Sequence, residues 1–274
     1  LIYRKLGPLY NAFKFFQEHL TQFKKSGYEI NKKHISDNLM DQWILSRVGS
    51  LINSIENDMG QYTIYLVIPR IMNFIEDVTN WYVKFNRDRL KGKESVNDWA
   101  KSLNTLWKVL IDSSRVMAPF IPFMSEHIYQ ELRISEGEPS AISGGEPSAI
   151  SGGEASPMPI SVHLTNYPTI NDYQLYPIVE RRMGRLQQIA GIVRSLRSNS
   201  LTATSVKVPL KSITLVHFDS TYLEDIKHLE KILQGEVNAV EIIYKNQKDI
   251  ATYEASLNLK IVGPKFKKQL KLLQ

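Results

Sequence analysis

The sequence predicts a mainly α-helical protein, an up-and-down helical bundle followed by a small α+β unit. In the first half of the chain, apolar residues recur at alternating spacings of three and four, which is the period of a packed helix. After Leu201 the pattern changes to short β-branched runs such as Ile213–Val216, which are typical of strands. The connections between the helical stretches are short, which favours antiparallel neighbours.

Residues 1–134 are predicted to form the bundle from five helices. The first begins at Gly7-Pro8, with Pro8 at the first helical position, and Asp41 is the predicted N-cap of the second. The third and longest helix is predicted to run from Ile64, with a kink at Pro69, to a C-cap at Gly92.

The last two helices of the bundle are marked by a capping serine and two prolines. Ser95 with Asp98 is a capping-box variant that begins the fourth helix, Pro119 ends it, and Pro122 begins the fifth. The predicted core residues of the five helices are Leu9, Phe13, Phe16, Leu20 and Phe23; Ile44, Val48, Leu51 and Ile55; Ile64, Ile68, Ile71, Ile75, Val78, Tyr82 and Phe85; Trp99, Leu103, Leu106, Leu110 and Met117; and Phe123, Ile128 and Leu132.

Three further segments follow the bundle. Residues 135–160 contain three copies of an octapeptide (SEGEPSAI, SGGEPSAI, SGGEASPM), whose composition predicts a disordered loop. Residues 161–200 are predicted to return as a short strand and a long helix that packs on the bundle. Residues 201–274 are predicted to form the small α+β domain, with strands at 213–216, 240–244 and 257–262 and helices at 221–234 and 265–273.

Composition excludes several kinds of site and favours an anionic partner. The chain has no cysteine, so disulfides and thiolate chemistry are excluded. No HExxH, phosphate-binding glycine loop or GxSxG motif occurs, so we expect no catalytic residue, metal or cofactor in this chain. No apolar run is long enough to cross a membrane. The net charge of +6 favours a partner such as nucleic acid.

The strongest candidate for such a partner site is the segment 80–93, NWYVKFNRDRLKGK. Basic side chains can hold phosphates, and aromatic or guanidinium planes can stack unpaired bases. The predicted RNA-binding residues are Trp81, Lys84, Asn86, Arg87, Arg89, Lys91 and Lys93, together with Arg181 and Arg185 of the long helix. The alternatives are that Trp81 belongs to the core and that the cations form only a solvated helix end.

Four motifs of the chain match a known family: WILSR at 43–47, MAPFIPF at 117–123, NWYVKFNRDRLKG at 80–92 and VPLKSITLVH at 208–217. Through these motifs the chain resembles the C-terminal region of eukaryotic-type isoleucyl-tRNA synthetases. The first two are shared with the related valyl and leucyl enzymes, whereas the last two are typical of the isoleucyl enzymes. The resemblance implies the anticodon-binding fold of class I synthetases. It also implies that Trp81, Asn86, Arg87, Arg89 and Lys91 contact the anticodon stem-loop of isoleucine tRNA or support those contacts.

The same resemblance implies a longer, cytoplasmic parent protein that attaches isoleucine to its tRNA. Its ATP and Mg would bind in a catalytic domain, which with an editing domain would precede this chain, and the chain opens on Leu1 rather than Met. Asp88 departs from the family pattern, because an arginine is common at that position. The alternatives are the same module of a valyl or leucyl enzyme, or a helical arm that docks other proteins in a multi-synthetase complex.

Overall fold

The computed structural model describes residues 2–29, 36–135, 158–199, 205 and 207–246. The chain forms two compact units, Leu1–Met183 and Gly184–Gln274. Nearly all of the predicted octapeptide loop, as well as the predicted strand 257–262 and helix 265–273, lies outside the described residues. None of the helices in the described ranges combines the length and the hydropathy needed to span a membrane.

The predicted helical bundle is confirmed in the first unit. Its helices are α1 (Ile2–Lys25), α2 (Leu39–Gly60), α3 (Val67–Glu76), α4 (Arg87–Leu90), α5 (Val96–Met117) and α6 (Pro122–Ser135). Both α1 and α2 pack against α3 and α5, and α6 packs against α5. Phe23 near the end of α1 meets Trp99 near the start of α5 edge-on, with ring centroids 5.0 Å apart, so these two helices are antiparallel.

The predicted apolar stripes form the core of the bundle. Phe13 and Phe16 of α1, Ile44 and Val48 of α2, and Ile71 of α3 are fully buried. Burial of such side chains contributes roughly 1.5–3 kcal/mol each relative to exposure. The period of three and four residues therefore identified the side chains that hold these helices together.

Three residues predicted for the core are exposed instead. Ile64 belongs to a 3₁₀ turn (Ile64–Leu66) before α3, and Ile68 lies in the first turn of α3, whose buried face begins at Val67. Phe123 lies in the first turn of α6 and is 91% exposed, because the buried face of α6 begins two residues later at Ser125.

The prediction of one continuous third helix is wrong. The segment is divided into the 3₁₀ turn, α3, a π-helical turn (Asp77–Val83) and α4. Pro69 lies in the first turn of α3, where its missing N–H leaves no hydrogen bond unmade. Two end signals are confirmed: Gly92 has a φ of +69°, and the Ser95 hydroxyl accepts from the Asp98 N–H at 3.1 Å.

Two predicted helix starts were also wrong. The first helix begins at Ile2, so Pro8 lies inside α1 rather than at its first position. The N-cap of α2 is Asn38, whose side-chain oxygen accepts from the Met40 N–H at 2.9 Å. Asp41 lies in the first turn of α2 and is fully buried, so its carboxylate serves the interior rather than the helix end.

A connecting segment then runs along the bundle to the long helix α7 (Pro177–Asn199). The predicted strand at 161–164 is a 3₁₀ turn (Val162–Leu164), whose Val162 N–H donates to Glu126 of α6 at 2.8 Å. Further along, a Cβ on Gly49 of α2 would lie 2.9 Å from Tyr173, so the absence of a side chain there permits the close approach of this segment.

The second unit contains a parallel two-stranded sheet in its described part. Strand β1 (Leu210–His217) pairs with β2 (Ala239–Asn246), and α8 (Ser220–Lys227) and α9 (Glu230–Val237) connect them. The predicted strand–helix–strand order is confirmed, with the helical stretch divided in two. Arg197 of α7 is buried and donates to the backbone oxygens of Val237 at 2.9 Å and Ser205 at 2.6 Å.

Candidate nucleic-acid interface

The basic segment 80–93 begins inside the π-helical turn Asp77–Val83. The carboxylate of Asp77, the first residue of the turn, accepts from the Arg47 guanidinium at 2.9 Å. Burial lowers the pKa of Arg47, but the charges of Asp77 and Glu180 and their hydrogen bonds to Arg47 together outweigh burial, and the net pKa is raised. Trp81 and Tyr82 are both buried at the end of the turn, so Trp81 belongs to the core, as the alternative interpretation proposed.

Arg89 and Asn86 are buried in a polar cluster, not displayed to solvent. The Arg89 guanidinium forms a two-pronged ion pair with Asp41, with N–O distances of 3.1 and 2.9 Å, and it donates to the Asn86 side chain at 2.6 Å. The Tyr82 hydroxyl donates to the same Asp41 carboxylate at 2.7 Å. Of the two roles predicted for Arg89 and Asn86, contact with RNA or support of those contacts, their burial favours the supporting role.

The electrostatics of this cluster keep it charged in the folded protein. Burial lowers the pKa of Arg89, but hydrogen bonding to Asp41 and its negative charge more than compensate, so the net pKa is raised. Burial, followed by the charge of Asp41, raises the pKa of Tyr82 well above its ordinary value. The guanidinium stays positive and the phenol stays neutral, which is the arrangement the hydrogen bonds require.

Lys84 and Arg87 lie on the opposite side of the segment and are exposed. The Arg87 guanidinium carbon lies 5.7 Å from the ring centroid of Phe15 in α1, and the Lys84 ammonium lies 5.6 Å from that of Phe85. Both cations border a groove of about 330 Å³ between α1 and this segment, which we call the α1–α4 groove. Its lining residues are Pro8, Asn11, Ala12, Phe15, Thr79, Val83, Lys84 and Arg87.

Lys91 and Lys93 follow at the end of the segment. Lys91 is half-buried, and Lys93 forms an exposed ion pair with Asp88 at 2.7 Å. The hydrogen bond from Lys93, followed by its charge, lowers the pKa of Asp88. Exposed pairs of this kind contribute only ~0–1 kcal/mol, so Lys93 can exchange Asp88 for a phosphate at little cost.

The two predicted arginines of α7 lie in different compact units. Arg181 is exposed in the first unit. Arg185 belongs to the second, where it donates to Asp225 at 2.7 Å and to the backbone oxygen of Thr221 at 3.0 Å and lies 4.7 Å from the Tyr222 ring centroid. Arg185 is therefore used to hold α7 against α8.

Sequence reasoning missed two residues of this region. Asp41 is the buried partner of Arg89, and a signal for it existed, because Asp41 precedes Ile44 by three residues on the apolar stripe of α2. Phe15 carries Arg87 on its ring face but lies off the stripe of α1, and nothing in the local sequence pairs these two residues.

The arrangement suits an extended polyanion with flat groups better than a reacting substrate. Exposed cations attract phosphates, and a ring beside a guanidinium offers a stacking surface. In the part of the chain that the structure describes, no group of three or more acidic or histidine side chains is placed to hold a metal ion.

Comparisons with known proteins agree with this geometry. Residues 41–215 match the family model of the anticodon-binding domain of tRNA ligase. Over nearly its whole length the chain is 35% identical to the cytoplasmic isoleucine–tRNA ligase of Saccharomyces cerevisiae, with 99% of the chain and 24% of that protein covered.

Two further relatives carry the same name. The enzyme of Schizosaccharomyces pombe is 33% identical, with 98% of the chain and 24% of the relative covered, and that of Mus musculus is 32% identical, with 89% and 18% covered. The chain thus spans at most about a quarter of the length of these relatives. The chain belongs to the family of anticodon-binding domains of tRNA ligases.

Proposed function

We propose that this chain is the anticodon-binding module of a cytoplasmic isoleucine–tRNA ligase and that it grips the anticodon stem-loop of isoleucine tRNA. The family assignment supports RNA binding. Relatives named as isoleucine–tRNA ligases support isoleucine tRNA as the ligand, rather than the tRNA of a valyl or leucyl enzyme. The rest of the parent protein would supply the catalytic and editing domains, with ATP and Mg bound there.

The observation that carries the proposal is the pair of exposed cations beside aromatic rings on the α1–α4 groove. Arg87 and Lys84 can each neutralise a phosphate, and the ring of Phe15 lies where an unpaired base can stack. Lys91 and Lys93, on either side of Gly92, extend the positive surface at the end of the segment. The groove is therefore suited to single-stranded RNA, which presents both phosphates and unstacked bases.

The predicted site residues divide into two roles. Lys84, Arg87, Lys91 and Lys93 contact the RNA, and Arg181 adds an exposed cation at the start of α7. The supporting residues are Trp81, Asn86 and Arg89, which fix the segment, and Arg185, which fixes the second unit.

A salt series with point variants tests the proposal. We expect the chain to bind isoleucine tRNA with an affinity that falls steeply with salt and that exceeds its affinity for valine tRNA. Arg87→Ala and Lys84→Ala should each weaken binding about 3- to 10-fold at 100 mM salt and reduce the slope of log K against log salt by ~0.7, the value for one phosphate contact on a single strand.

The matched control is Lys231→Ala, which removes an exposed helical lysine of α9. It should leave both the affinity and the salt slope near those of the unmodified chain. An affinity that is independent of salt, or Arg87 and Lys84 variants that bind as well as the control, would rule out this RNA surface. Such a result would favour the alternative in which the bundle docks a protein of a multi-synthetase complex.

A further inference from the structure

We infer that a second groove of the bundle is a pocket for one unpaired nucleobase of the bound RNA. This base pocket lies between α2, α5 and the connecting segment before α7, has a volume of about 320 Å³ and shares no residue with the α1–α4 groove. The volume falls within the range of ~300–1,000 Å³ that is usual for ligand pockets. The inference rests on the proposed function, because the RNA supplies the base.

The aromatic wall of the pocket is held in place before any ligand arrives. The hydroxyl of Tyr173 donates to the buried carboxylate of Asp112, and the Tyr173 side chain lies close against Gly49. The Lys108 ammonium lies 2.7 Å from Asp112 and 4.9 Å from the Tyr173 ring centroid. A ring fixed on both sides in this way loses little freedom when a flat group packs against it.

Three of the polar side chains that line the pocket are amides. Within the described residues, the side chains of Gln42 and Gln174 make no hydrogen bond to protein, and Asn104 adds a third amide to the lining. A carboxamide offers a donor and an acceptor side by side, which matches the edge of a nucleobase.

The charges around the pocket make a phosphate a poorer occupant than an uncharged base. Lys108 is paired with Asp112, which also pairs with Arg115 at 3.2 Å, and the lining contains the acid Asp172. The pocket therefore has apolar and aromatic walls and no unpaired positive charge among its described lining residues. Such a site favours an uncharged, planar, hydrogen-bonding group, and an RNA that is gripped by its phosphates elsewhere can deliver one.

The experiment combines protein variants with abasic RNA. Gln42→Ala, Gln174→Ala and the double variant are prepared in the full chain, with Gln61→Ala as a matched control, because Gln61 is an exposed amide beyond the other end of α2. Affinity is measured for isoleucine tRNA and for a set of tRNAs in which each nucleotide of the anticodon loop is singly abasic.

One abasic position should lower the affinity of the unmodified chain roughly tenfold, the effect expected for loss of a good amide–base contact. The double variant should bind intact tRNA roughly tenfold more weakly and lose less than about twofold further at that same position, as coupled groups do. Gln61→Ala should behave as the unmodified chain.

Two results would overturn the pocket. Gln42 and Gln174 variants that bind intact tRNA as tightly as Gln61→Ala would show that the amides read nothing. The double variant and the unmodified chain could instead lose the same affinity at every abasic position. That result would show that the two amides and the base act independently. In both cases salt-dependent binding by the unmodified chain would leave the proposed function standing, whereas its absence would remove both proposals.

Discussion

Arg87 and Arg89 are two residues apart in one basic segment, yet one is exposed and the other is buried. Arg89 follows Tyr82 and Asn86 along the buried side of the segment, and Asp41 of α2 meets it there. Arg87 points away and lies over Phe15. Sequence alone gives both residues the same charge and nearly the same neighbours, so only the position of Asp41 separates the buried arginine from the exposed one.

This difference gives a prediction about stability. Arg89→Ala leaves the Asp41 carboxylate buried without its ion-pair partner, and the free energy of unfolding should fall by about 3–5 kcal/mol. Arg87→Ala removes an exposed side chain, and the change should stay within about 0.5 kcal/mol. Urea titration followed by tryptophan fluorescence measures both, since all four tryptophans lie in the first unit.

Equal, small effects for the two variants would show that the Arg89–Asp41 pair contributes little to the fold. The control Asp41→Asn keeps the shape of the carboxylate and removes its charge. It should also destabilise, because the buried guanidinium of Arg89 then keeps only the more exposed Asp98, at 3.4 Å, as a counter-charge.

At the scale of the elements, the sequence predicted most of the helices and most of the faces that they bury, but not the division of the third helix. The π-helical turn escaped prediction for a physical reason. The buried positions Ile71, Ile75, Val78, Tyr82, Asn86 and Arg89 keep spacings of three and four throughout. A wider turn inside such a series leaves the apolar period unchanged, so periodicity cannot reveal it. The polar residues that continued this stripe were consequently interpreted as exposed.

Helix ends were predictable where the chemistry is local to the chain. The Ser95 side chain caps α5 by accepting from the Asp98 N–H in the first turn of the same helix. Gly92 has a positive φ, which other residues adopt at a cost in free energy. Asn38 and Asp41 lie three residues apart, and both have side chains that can cap a helix. Which of them caps α2 depends on Arg89, which lies in a distant segment and pairs with Asp41.

Two glycine substitutions in the first unit should change the free energy of unfolding in opposite directions. Gly92→Ala places a side chain at a φ of +69° and a Cβ 2.6 Å from the Trp99 ring, so we expect a loss of at least about 2 kcal/mol in the free energy of unfolding. Gly60→Ala, at the end of α2, meets nothing within 4 Å and should raise it by roughly 0.4–1 kcal/mol. Denaturation monitored by tryptophan fluorescence reports both, and a neutral Gly92→Ala would contradict the close contact with Trp99.

At the scale of the whole molecule, the helical bundle, the α+β unit and the family were all predictable, and the base pocket was not. Periodicity and motifs depend on residues close in sequence, so they identify elements and relatives. The base pocket joins Gln42, Asn104 and Gln174 from three separate parts of the chain, and its form depends on how the elements pack. The same reason explains why the supporting role of Arg89 became clear only in three dimensions.

Tyrosines distributed through the fold predict how stability depends on pH. Burial, followed by the charge of Glu56, raises the pKa of Tyr167 to about 12, and burial likewise raises the pKa of Tyr82, Tyr173 and Tyr244 above their ordinary value. In the unfolded chain these phenols ionise near pH 10, whereas in the folded chain they keep their protons to higher pH. The folded state therefore binds more protons above pH 10, and stability should be full below pH 10 and fall as the pH rises further.

Tyr167 isolates one contribution to this fall. Its hydroxyl is buried and has no hydrogen-bond partner within the described residues, so Tyr167→Phe removes a polar group that is costly to bury and should leave stability at pH 7 unchanged or higher. Between pH 10 and 12 the variant should lose stability less steeply than the unmodified chain, because one group that ionises only on unfolding is gone. Urea titrations at pH 8, 10 and 11 measure the slope, with the exposed Tyr65→Phe as the control that should reproduce the unmodified profile. Parallel alkaline slopes for Tyr167→Phe and Tyr65→Phe would show that Tyr167 is not held in its neutral form by burial.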